Sequence, residues 1–308
     1  MQTTLSRFAV TAMMFAVFTM LATGVANAQP PKCSTSITSC GCTIGTPGEY
    51  TVENILYASQ GLTLKGGCID IEGSNINLYV DYNINGPGSN SNCNSGTPHL
   101  NSGVGIHVLP TASNVSIDDE NYVCGWSYGI ESEGNNINFY DLDNDYDTVG
   151  LFLNNATNNT CLYCYTYYNV IGTQITGGSG NSVGGGESYY NSKFGYWVDG
   201  SKGNTLSNDY AKYDGTGFYL GCSSTGAVNP TILCNKNTPT TKNNLLDNEA
   251  EHNSKYGIAT ERGSIYNNFN GNDLYSNGPE DIIDGNGNCV YNGYLNNSFS
   301  TASPNCIQ

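Results

Sequence analysis

The residues best suited to acid–base chemistry in this 308-residue sequence are Asp70, His107, Glu131 and Glu133. Carboxyl and imidazole groups can donate or accept a proton at a reacting oxygen when they are held within hydrogen-bond reach of it. The four lie in three separate segments of the chain. They can therefore act together only if a regular fold brings those segments side by side.

A short phrase, Gly followed by alternating apolar residues, recurs along the chain. It begins at Gly105, Gly129, Gly150, Gly172, Gly195, Gly217 and Gly257, at steps of 24, 21, 22, 23, 22 and 40 residues. A second marker, Asn before an apolar or hydroxyl residue, occurs at Asn114, Asn136, Asn159, Asn181, Asn204 and Asn244. Both markers jump by 40 at the same place, so one unit carries an insertion of about 18 residues.

The repeat has the alternation of β-strands, which predicts an all-β solenoid with coils of about 22 residues. Stacked coils share one core, so each coil needs few inward apolar residues. The Asn column is explained by turn conformations and stacked amides. A further column is expected to stack its rings between coils, and it consists of Tyr146, Tyr168, Tyr190 and Tyr213.

The Gly-Ile strands, the strand SNVSI at 113–117 and the coil length resemble right-handed parallel β-helix proteins of the pectin-lyase-like superfamily. The resemblance covers roughly residues 45 to 300. It implies a right-handed parallel β-helix at 61–308 with two loop insertions, after a disulfide-tied cap segment at 29–60. Superfamily members include polysaccharide lyases, hydrolases, epimerases, tailspikes and adhesins. The polygalacturonase signatures and the DPHD motif of alginate epimerases are absent, so no catalytic set transfers.

Residues 1–28 are predicted to be a signal peptide, because an apolar run of 14 residues from Phe8 to Leu21 is followed by small residues. The run is short for a membrane span, so no transmembrane segment is expected after its removal. All 12 cysteines follow this segment, which favours disulfides in an exported protein at the cell surface, in the periplasm or in the medium. The expected pairs are Cys222 with Cys234 and Cys289 with Cys306.

The chain is acidic, with 26 Asp and Glu against 10 Lys and Arg and a net charge of −16. This charge makes nucleic acid a poor partner. No cofactor is required by any motif, but calcium could balance the acidic turn DLDNDYD. Its candidate ligands are Asp119, Asp141, Asp143 and Asp145, and the alternative is a solvated acidic turn.

Strand alternation predicts one outward column on the Gly-led strands, formed by Asp70, His107, Glu131, Phe152, Gln174, Trp197 and Tyr219. Two positions further along each strand, the outward residues include Glu72, Glu133, Asn154, Asp199 and Glu261. Aromatic faces beside carboxylates and amides suit sugar rings, so we expect Phe152, Gln174, Trp197, Tyr219 and Asp199 to bind substrate. The alternative is that the insertion around Cys222 to Cys234, or the N-terminal segment, covers the rings.

Asp70 and Glu131 would lie two coils apart, on the order of 9.6 Å, near the upper limit for carboxylates that invert a glycosidic bond. Arg262 is the one arginine after the signal, so lyase chemistry has less support. The sequence therefore favours a monomeric exported protein that binds polysaccharide or serves as a surface or matrix component. The alternative is a polysaccharide hydrolase or lyase that uses the outward carboxylates.

Overall fold

A computed structural model of the protein describes residues 30–58, 66–87, 93, 103–222, 234 and 238–307. The predicted signal peptide at 1–28 and most of both predicted insertions lie outside the described residues. No described helix is long and apolar enough to cross a membrane.

The described residues form 31 short strands. They are β1 (Ser36–Ile37), β2 (Cys42–Ile44), β3 (Gly48–Val52), β4 (Leu56–Tyr57), β5 (Gly67–Ile71), β6 (Ser74–Val80), β7 (Ile84–Asn85), β8 (Val104–Val108), β9 (Ser113–Asp119), β10 (Tyr122–Cys124), β11 (Tyr128–Ser132), β12 (Asn135–Tyr140), β13 (Asp143–Asp145), β14 (Val149–Asn154), β15 (Thr160–Leu162), β16 (Tyr165–Tyr167), β17 (Ile171–Thr176), β18 (Ser182–Gly184), β19 (Glu187–Tyr189), β20 (Phe194–Asp199), β21 (Thr205–Ser207), β22 (Tyr210–Lys212), β23 (Thr216–Leu220), β24 (Asn244–Leu246), β25 (Glu249–Glu251), β26 (Tyr256–Thr260), β27 (Asn268–Asn270), β28 (Asp273–Tyr275), β29 (Glu280–Asp284), β30 (Gly293–Leu295) and β31 (Ala302–Ser303).

The strands form three parallel sheets in which successive coils stack. Sheet 1 has the order β2-β5-β8-β11-β14-β17-β20-β23-β26-β29-β31. Sheet 2 has the order β1-β3-β6-β9-β12-β15-β18-β21-β24-β27-β30. Sheet 3 has the order β4-β7-β10-β13-β16-β19-β22-β25-β28. The predicted parallel β-helix is confirmed.

The core runs along the inside of the coils, where inward residues such as Ile130, Ile137 and Leu151 are fully buried. Close packing between successive coils explains the repeated Gly of sheet 1. A Cβ added to Gly129 would lie 2.3 Å from Oδ2 of Asp147 and 2.8 Å from the carbonyl oxygen of Gly150. Only glycine allows the coils to approach each other so closely here.

The predicted Asn column is wrong in its register, since it joins three neighbouring positions of the coil. Asn114 and Asn136 are exposed and have φ angles of 53° and 57°, in the left-handed region. Asn159, Asn181 and Asn204 lie one position later in the coil and are buried. Asn tolerates the left-handed turn that the first two residues adopt, and amide stacking explains the three buried residues.

The buried column forms a hydrogen-bonded ladder between sheets 1 and 2. The backbone N–H of Asn159 donates to Oδ1 of Asn181 at 3.0 Å, and the backbone N–H of Asn181 donates to Oδ1 of Asn204 at 3.0 Å. Asn243, rather than the predicted Asn244, continues the ladder beyond Asn204. Such bonds satisfy corner N–H groups that the sheets leave unpaired.

Similar ladders occupy the other two corners of the coil. Between sheets 2 and 3 the ladder consists of Asp209, Asn248, Asn272 and Asn297. Between sheets 3 and 1 it consists of Asp147, Asn169, Asn191, Asp214, Asn253 and Asn277. The coil is thus fixed at each corner by buried amides and carboxyls.

The predicted tyrosine stack is confirmed at the corner between sheets 3 and 1. Ring centroids of Tyr146 and Tyr168, Tyr168 and Tyr190, and Tyr190 and Tyr213 lie 5.2, 5.3 and 5.1 Å apart, with nearly parallel planes. The four backbones have φ between 56° and 59°. Their rings cover each other's faces and present their edges to solvent.

Six disulfides join all 12 cysteines, and both predicted pairs, Cys222 with Cys234 and Cys289 with Cys306, are confirmed. Cys161 and Cys164 also pair, so the CLYC sequence contains a disulfide. The segment expected as a cap is tied by two further pairs, Cys33 with Cys42 and Cys40 with Cys68. Its strands β1 to β4 belong to the three sheets and begin the solenoid.

Candidate functional site on the outer face of sheet 1

The outward column on sheet 1 has the predicted alignment. Consecutive partners in the strand register are Asp70, His107, Glu131, Phe152, Gln174, Trp197 and Tyr219. Each pair of neighbours is separated by one coil, about 4.8 Å. Residues far apart in sequence therefore lie in one line along the axis of the solenoid.

The four acid–base candidates gather at one end of this line. Nδ1 of His107 lies 3.5 Å from Oδ1 of Asp70, and Nε2 of the same ring lies 3.4 Å from Oε2 of Glu133. Oδ1 of Asp70 also accepts a hydrogen bond from the backbone N–H of Gly67 at 2.6 Å. The imidazole therefore lies between two carboxylates. Asp70 is itself held in place by the hydrogen bond from Gly67, the first residue of its strand.

Asn154 belongs to the same cluster, although the sequence placed it only in the second outward column. Its Nδ2 donates to Oε1 of Glu131 at 3.1 Å and lies 3.5 Å from Oε1 of Glu133. Its Oδ1 accepts a hydrogen bond from Nδ2 of Asn155 at 3.0 Å. We call Asp70, His107, Glu131, Glu133 and Asn154 the acidic strip.

The pKa of His107 is raised above its ordinary value. Burial by itself lowers this pKa, but the adjacent carboxylate of Asp70 and the charge of Glu131 outweigh it, with a further contribution from Glu133. Side-chain exposure is 16% for His107, 13% for Asp70 and 29% for Glu133. The neighbouring carboxylates favour the protonated imidazole, while one edge of the cluster stays open to a ligand.

This arrangement combines a proton donor with carboxylates at both ring nitrogens of His107. Such groups can bind sugar hydroxyls, and they can also transfer protons at a glycosidic oxygen. Among the described residues, neither Lys nor Arg forms an ion pair with the strip. Neutralisation of a uronate carboxylate, which lyase chemistry needs, would have to come from His107 or a bound cation.

The aromatic end of the column differs from the expected open face. Phe152 is 9% exposed, Trp197 is 7% exposed and Tyr219 is 0% exposed. Nε1 of Trp197 donates to the carbonyl oxygen of Gly221 at 2.8 Å. These outward rings are therefore buried and offer no flat surface to a sugar, and residues 223–233 of the insertion that was expected to cover them lie outside the described residues.

These rings form a second apolar cluster outside the coil core. Its buried members are Val149, Phe152, Ile171, Phe194, Trp197, Tyr219 and Ala259. The rings of Phe194 and Tyr219 stack with centroids 4.5 Å apart. Val149, Ile171 and Phe194 each precede the repeated Gly, point outward and enlarge the cluster. The apolar residue before each Gly is therefore the sequence signal that could have predicted this buried cluster.

The two polar residues expected to bind substrate are half-buried; Gln174 lies between Phe152 and Trp197 in the strand register, and Asp199 lies two residues beyond Trp197. Nε2 of Gln174 donates to Oγ1 of Thr176 at 2.9 Å. Burial raises the pKa of Asp199 to about 6, with a contribution from the charge of Glu261. A role for Gln174 and Asp199 in binding stays a prediction.

The candidate calcium ligands lie on another part of the solenoid. Asp143 and Asp145 are on β13 of sheet 3, Asp141 is at the preceding corner and Asp119 ends β9. Burial raises the pKa of Asp143 to about 7 and that of Asp145 to about 8, with added repulsion from neighbouring carboxylates.

The four carboxylates do not form a compact ligand set. Within the described residues, the one group of three potential ligands whose atoms lie within 4.8 Å of each other is Cys222, Cys234 and Glu261. Its two sulfurs are joined in a disulfide. Calcium binding at the acidic turn stays a prediction.

No protein-family profile and no curated protein sequence matches the chain. Solved structures do match. Pectate lyase Pel9A is 17% identical with a TM-score of 0.50, over 86% of this chain and 70% of the lyase. The Dettilon tailspike protein is 12% identical with a TM-score of 0.59, over 87% of this chain and 59% of the tailspike.

A variant of the periplasmic alginate epimerase AlgG is 12% identical with a TM-score of 0.50, over 84% of this chain and 70% of the epimerase. At these identities the likeness establishes the fold. The chain has a parallel β-helix fold like that of these structures, as its repeat predicted. One fold supports many activities, so the function has to be argued from the site.

Proposed function

We propose that this chain is an exported β-helix protein that binds polysaccharide along the outer face of sheet 1, at the acidic strip. The observation that carries the proposal is the position of His107, which lies 3.5 Å from Asp70 and 3.4 Å from Glu133 on a partly open face. The names of the pectate lyase and the alginate epimerase indicate that proteins of this fold act on polysaccharides. Six disulfides support export.

The strip is suited to a linear polymer because its groups repeat along the solenoid axis. Carboxylate oxygens of Glu131 and Glu133 accept hydrogen bonds from sugar hydroxyls, while His107 and Asn154 can donate them. Hydrogen bonds to charged groups contribute about 1.5–3 kcal/mol each. A polysaccharide chain that crosses several coils can form several such hydrogen bonds on an open surface, without a deep cavity. A monomer is sufficient for this mode of binding.

The second candidate function is hydrolysis of a glycosidic bond, and the two carboxylates beside a protonated imidazole favour it. Asp70 and Glu131 flank His107 in the register, two coils apart. A separation on the order of 9.6 Å leaves room for a water molecule between them, as inversion requires. Either carboxyl, or the imidazolium, could then protonate the leaving oxygen.

A panel of immobilised and soluble polysaccharides tests both functions. Retention of the protein measures binding, and release of reducing or unsaturated ends measures cleavage. The variants Glu131→Gln and Glu133→Gln remove charge from the strip with little change in volume. The matched control is Asp273→Asn, because Asp273 is an exposed carboxylate on sheet 3, away from the strip.

We expect retention of the wild-type protein on at least one polysaccharide, weakened in the strip variants and unchanged in Asp273→Asn. End-group release that is lost in Glu131→Gln while retention persists would establish the hydrolase. Equal retention of wild type and both strip variants would contradict the proposal, as would the absence of both retention and release.

A further inference from the structure

A second surface, on the outer face of sheet 2, is distinct from the acidic strip. It contains a pocket of about 340 Å³ lined by Asn77, Asn114, Val115, Ser116, Asn136, Asn138 and Asn158. All five of these Asn residues are exposed, and none of the seven lining residues carries a charge. We call these seven residues the amide groove.

The amides of the groove have no partner within the part of the chain that the structure describes. None of their side chains donates or accepts a hydrogen bond there, whereas buried Asn residues one position away pair throughout. Asn181, for example, donates from Nδ2 both to Oδ1 of Asn204 and to the carbonyl oxygen of Ala156, each at 3.0 Å. The groove therefore presents unused donors and acceptors to solvent.

Backbone conformation does not account for the amides. Asn114, Asn136 and Asn158 have positive φ angles, which Asn tolerates well. In later coils, however, the same corner position has an equally positive φ with other residue types: Gly180 (71°), Gly203 (67°), Lys242 (57°) and Tyr266 (61°). Asn77 and Asn138 are ordinary strand residues. The turn conformation therefore does not require the number of Asn residues that these coils contain.

Exposed tyrosines border the groove on its other side. Tyr79 and Tyr140 lie two residues beyond Asn77 and Asn138 on the same outward faces, and they are 37% and 46% exposed. Asp118 lies between the two rings in the strand register. Its pKa is raised by burial and by the charges of Asp141 and Asp81.

We propose that the amide groove is a second glycan-binding site, which takes a neutral, hydroxyl-rich segment of polysaccharide. An amide offers a donor and an acceptor side by side, which matches the paired donor and acceptor character of adjacent sugar hydroxyls. Asn77 and Asn138 are two coils apart, about 9.6 Å, a span that a disaccharide covers. The pocket volume falls in the range of ligand sites, and the bordering tyrosines offer ring surface.

The surrounding charge selects against acidic polymers. Asp141 and Asp81 each repel Asp118, which lies between the tyrosines in the register, and no described Lys or Arg forms an ion pair with these carboxylates. A uronate chain would meet repulsion there, whereas a neutral chain would not. The proposal thus differs from that for the acidic strip, and either site could exist without the other.

Affinity electrophoresis of the full chain tests the proposal, with xyloglucan and galactomannan as neutral probes and polygalacturonate as the acidic probe. The variant is Asn77→Ala with Asn138→Ala, since both residues point outward and their replacement should leave the melting temperature unchanged. The matched control is Asn268→Ala, an amide in the same outward column of sheet 2 on β27, outside the groove. Glu131→Gln separates this site from the acidic strip.

The expected result is retardation of the wild-type protein by a neutral probe, with an apparent dissociation constant raised roughly fivefold or more in the double variant. Asn268→Ala should match the wild type, and the double replacement should weaken binding to the same extent when it is made in the Glu131→Gln variant. The proposal is overturned if no neutral probe retards the protein, or if only polygalacturonate does. It is also overturned if Asn268→Ala weakens binding as much as the double variant.

Discussion

The backbone N–H of Asp209 donates a hydrogen bond to Oδ1 of Asn248 at 3.0 Å, so a carboxyl and an amide fill consecutive positions of one buried ladder. Asp209 is 1% exposed, and burial raises its pKa to about 8. A protonated carboxyl resembles the amide that occupies this position in the next coil. The ladder therefore favours the neutral form of Asp209.

The first prediction is that Asp209→Asn stabilises the protein at about pH 8, by about 1–2 kcal/mol. Asn keeps the oxygen that accepts the N–H of Gly186 at 3.0 Å, and its Nδ2 can donate to a backbone carbonyl, as Nδ2 of Asn248 does to Leu206. Urea unfolding measures the change. The reverse replacement, Asn248→Asp, should lower the free energy of unfolding, and an unchanged or lower value for Asp209→Asn would contradict the explanation.

The second prediction concerns the pH dependence of stability. The pKa values of Asp143 and Asp214 are raised to about 7 and those of Asp145 and Asp209 to about 8, chiefly by burial. The folded chain holds protons that the unfolded chain releases near pH 4, so this stabilisation is complete below about pH 4 and is lost as the pH rises towards about 8.

We therefore expect the free energy of unfolding to fall between about pH 5 and about pH 8.5 by roughly 2 kcal/mol or more. Thermal unfolding at several pH values measures the trend. Replacement of both Asp209 and Asp214 by Asn should flatten it. A melting temperature that rises over this interval would show that these carboxyls are ionised in the folded protein.

The third prediction is that Trp197→Ala destabilises the protein by about 3–5 kcal/mol. The ring is 7% exposed within the second apolar cluster, so its removal leaves a cavity and unpairs the carbonyl of Gly221. The control is Tyr57→Ala, whose ring is 55% exposed and whose loss should have an effect within about 0.5 kcal/mol. Similar melting temperatures for the two variants would mean that the Trp197 ring is open to solvent.

The fourth prediction concerns the protonation of His107. Its pKa lies above the ordinary value because Asp70, Glu131 and Glu133 favour the imidazolium. NMR titration of the imidazole nitrogens should show this, and Glu133→Gln should lower the pKa. The matched control is Asp273→Asn, which removes an exposed carboxylate on sheet 3, away from the strip, and should leave the His107 pKa unchanged. A His107 pKa that is the same in both proteins would remove the electrostatic basis of the acidic strip.

The fifth prediction is that millimolar calcium raises the melting temperature above about pH 8, where Asp143 and Asp145 have lost their protons. A cation that binds only the folded chain stabilises it by mass action. Chelator should reverse the increase, and Asp143→Asn should reduce it. An identical melting temperature with calcium and with chelator would rule out a calcium site at this turn.

The sequence by itself determined the solenoid and the alignment of the outward column. Strand alternation has a period of two, and the repeat of about 22 residues brings Asp70, His107 and Glu131 into adjacent coils. Both properties are local and can be counted along the chain. The pair Cys222 and Cys234 followed in the same way, because a loop that returns to its base brings its two ends together.

Only the tertiary structure decided which of two neighbouring residues turns inward and which outward surfaces stay open. Asn136 and Asn159 look alike in the repeat, but a shift of one residue at a corner exchanges an exposed turn residue for a buried ladder residue. Trp197 and Tyr140 both point out of the coil, yet the first is 7% exposed and the second 46%. Burial of an outward side chain depends on what packs against it from elsewhere in the chain. The spacing of the repeat by itself does not specify that contact.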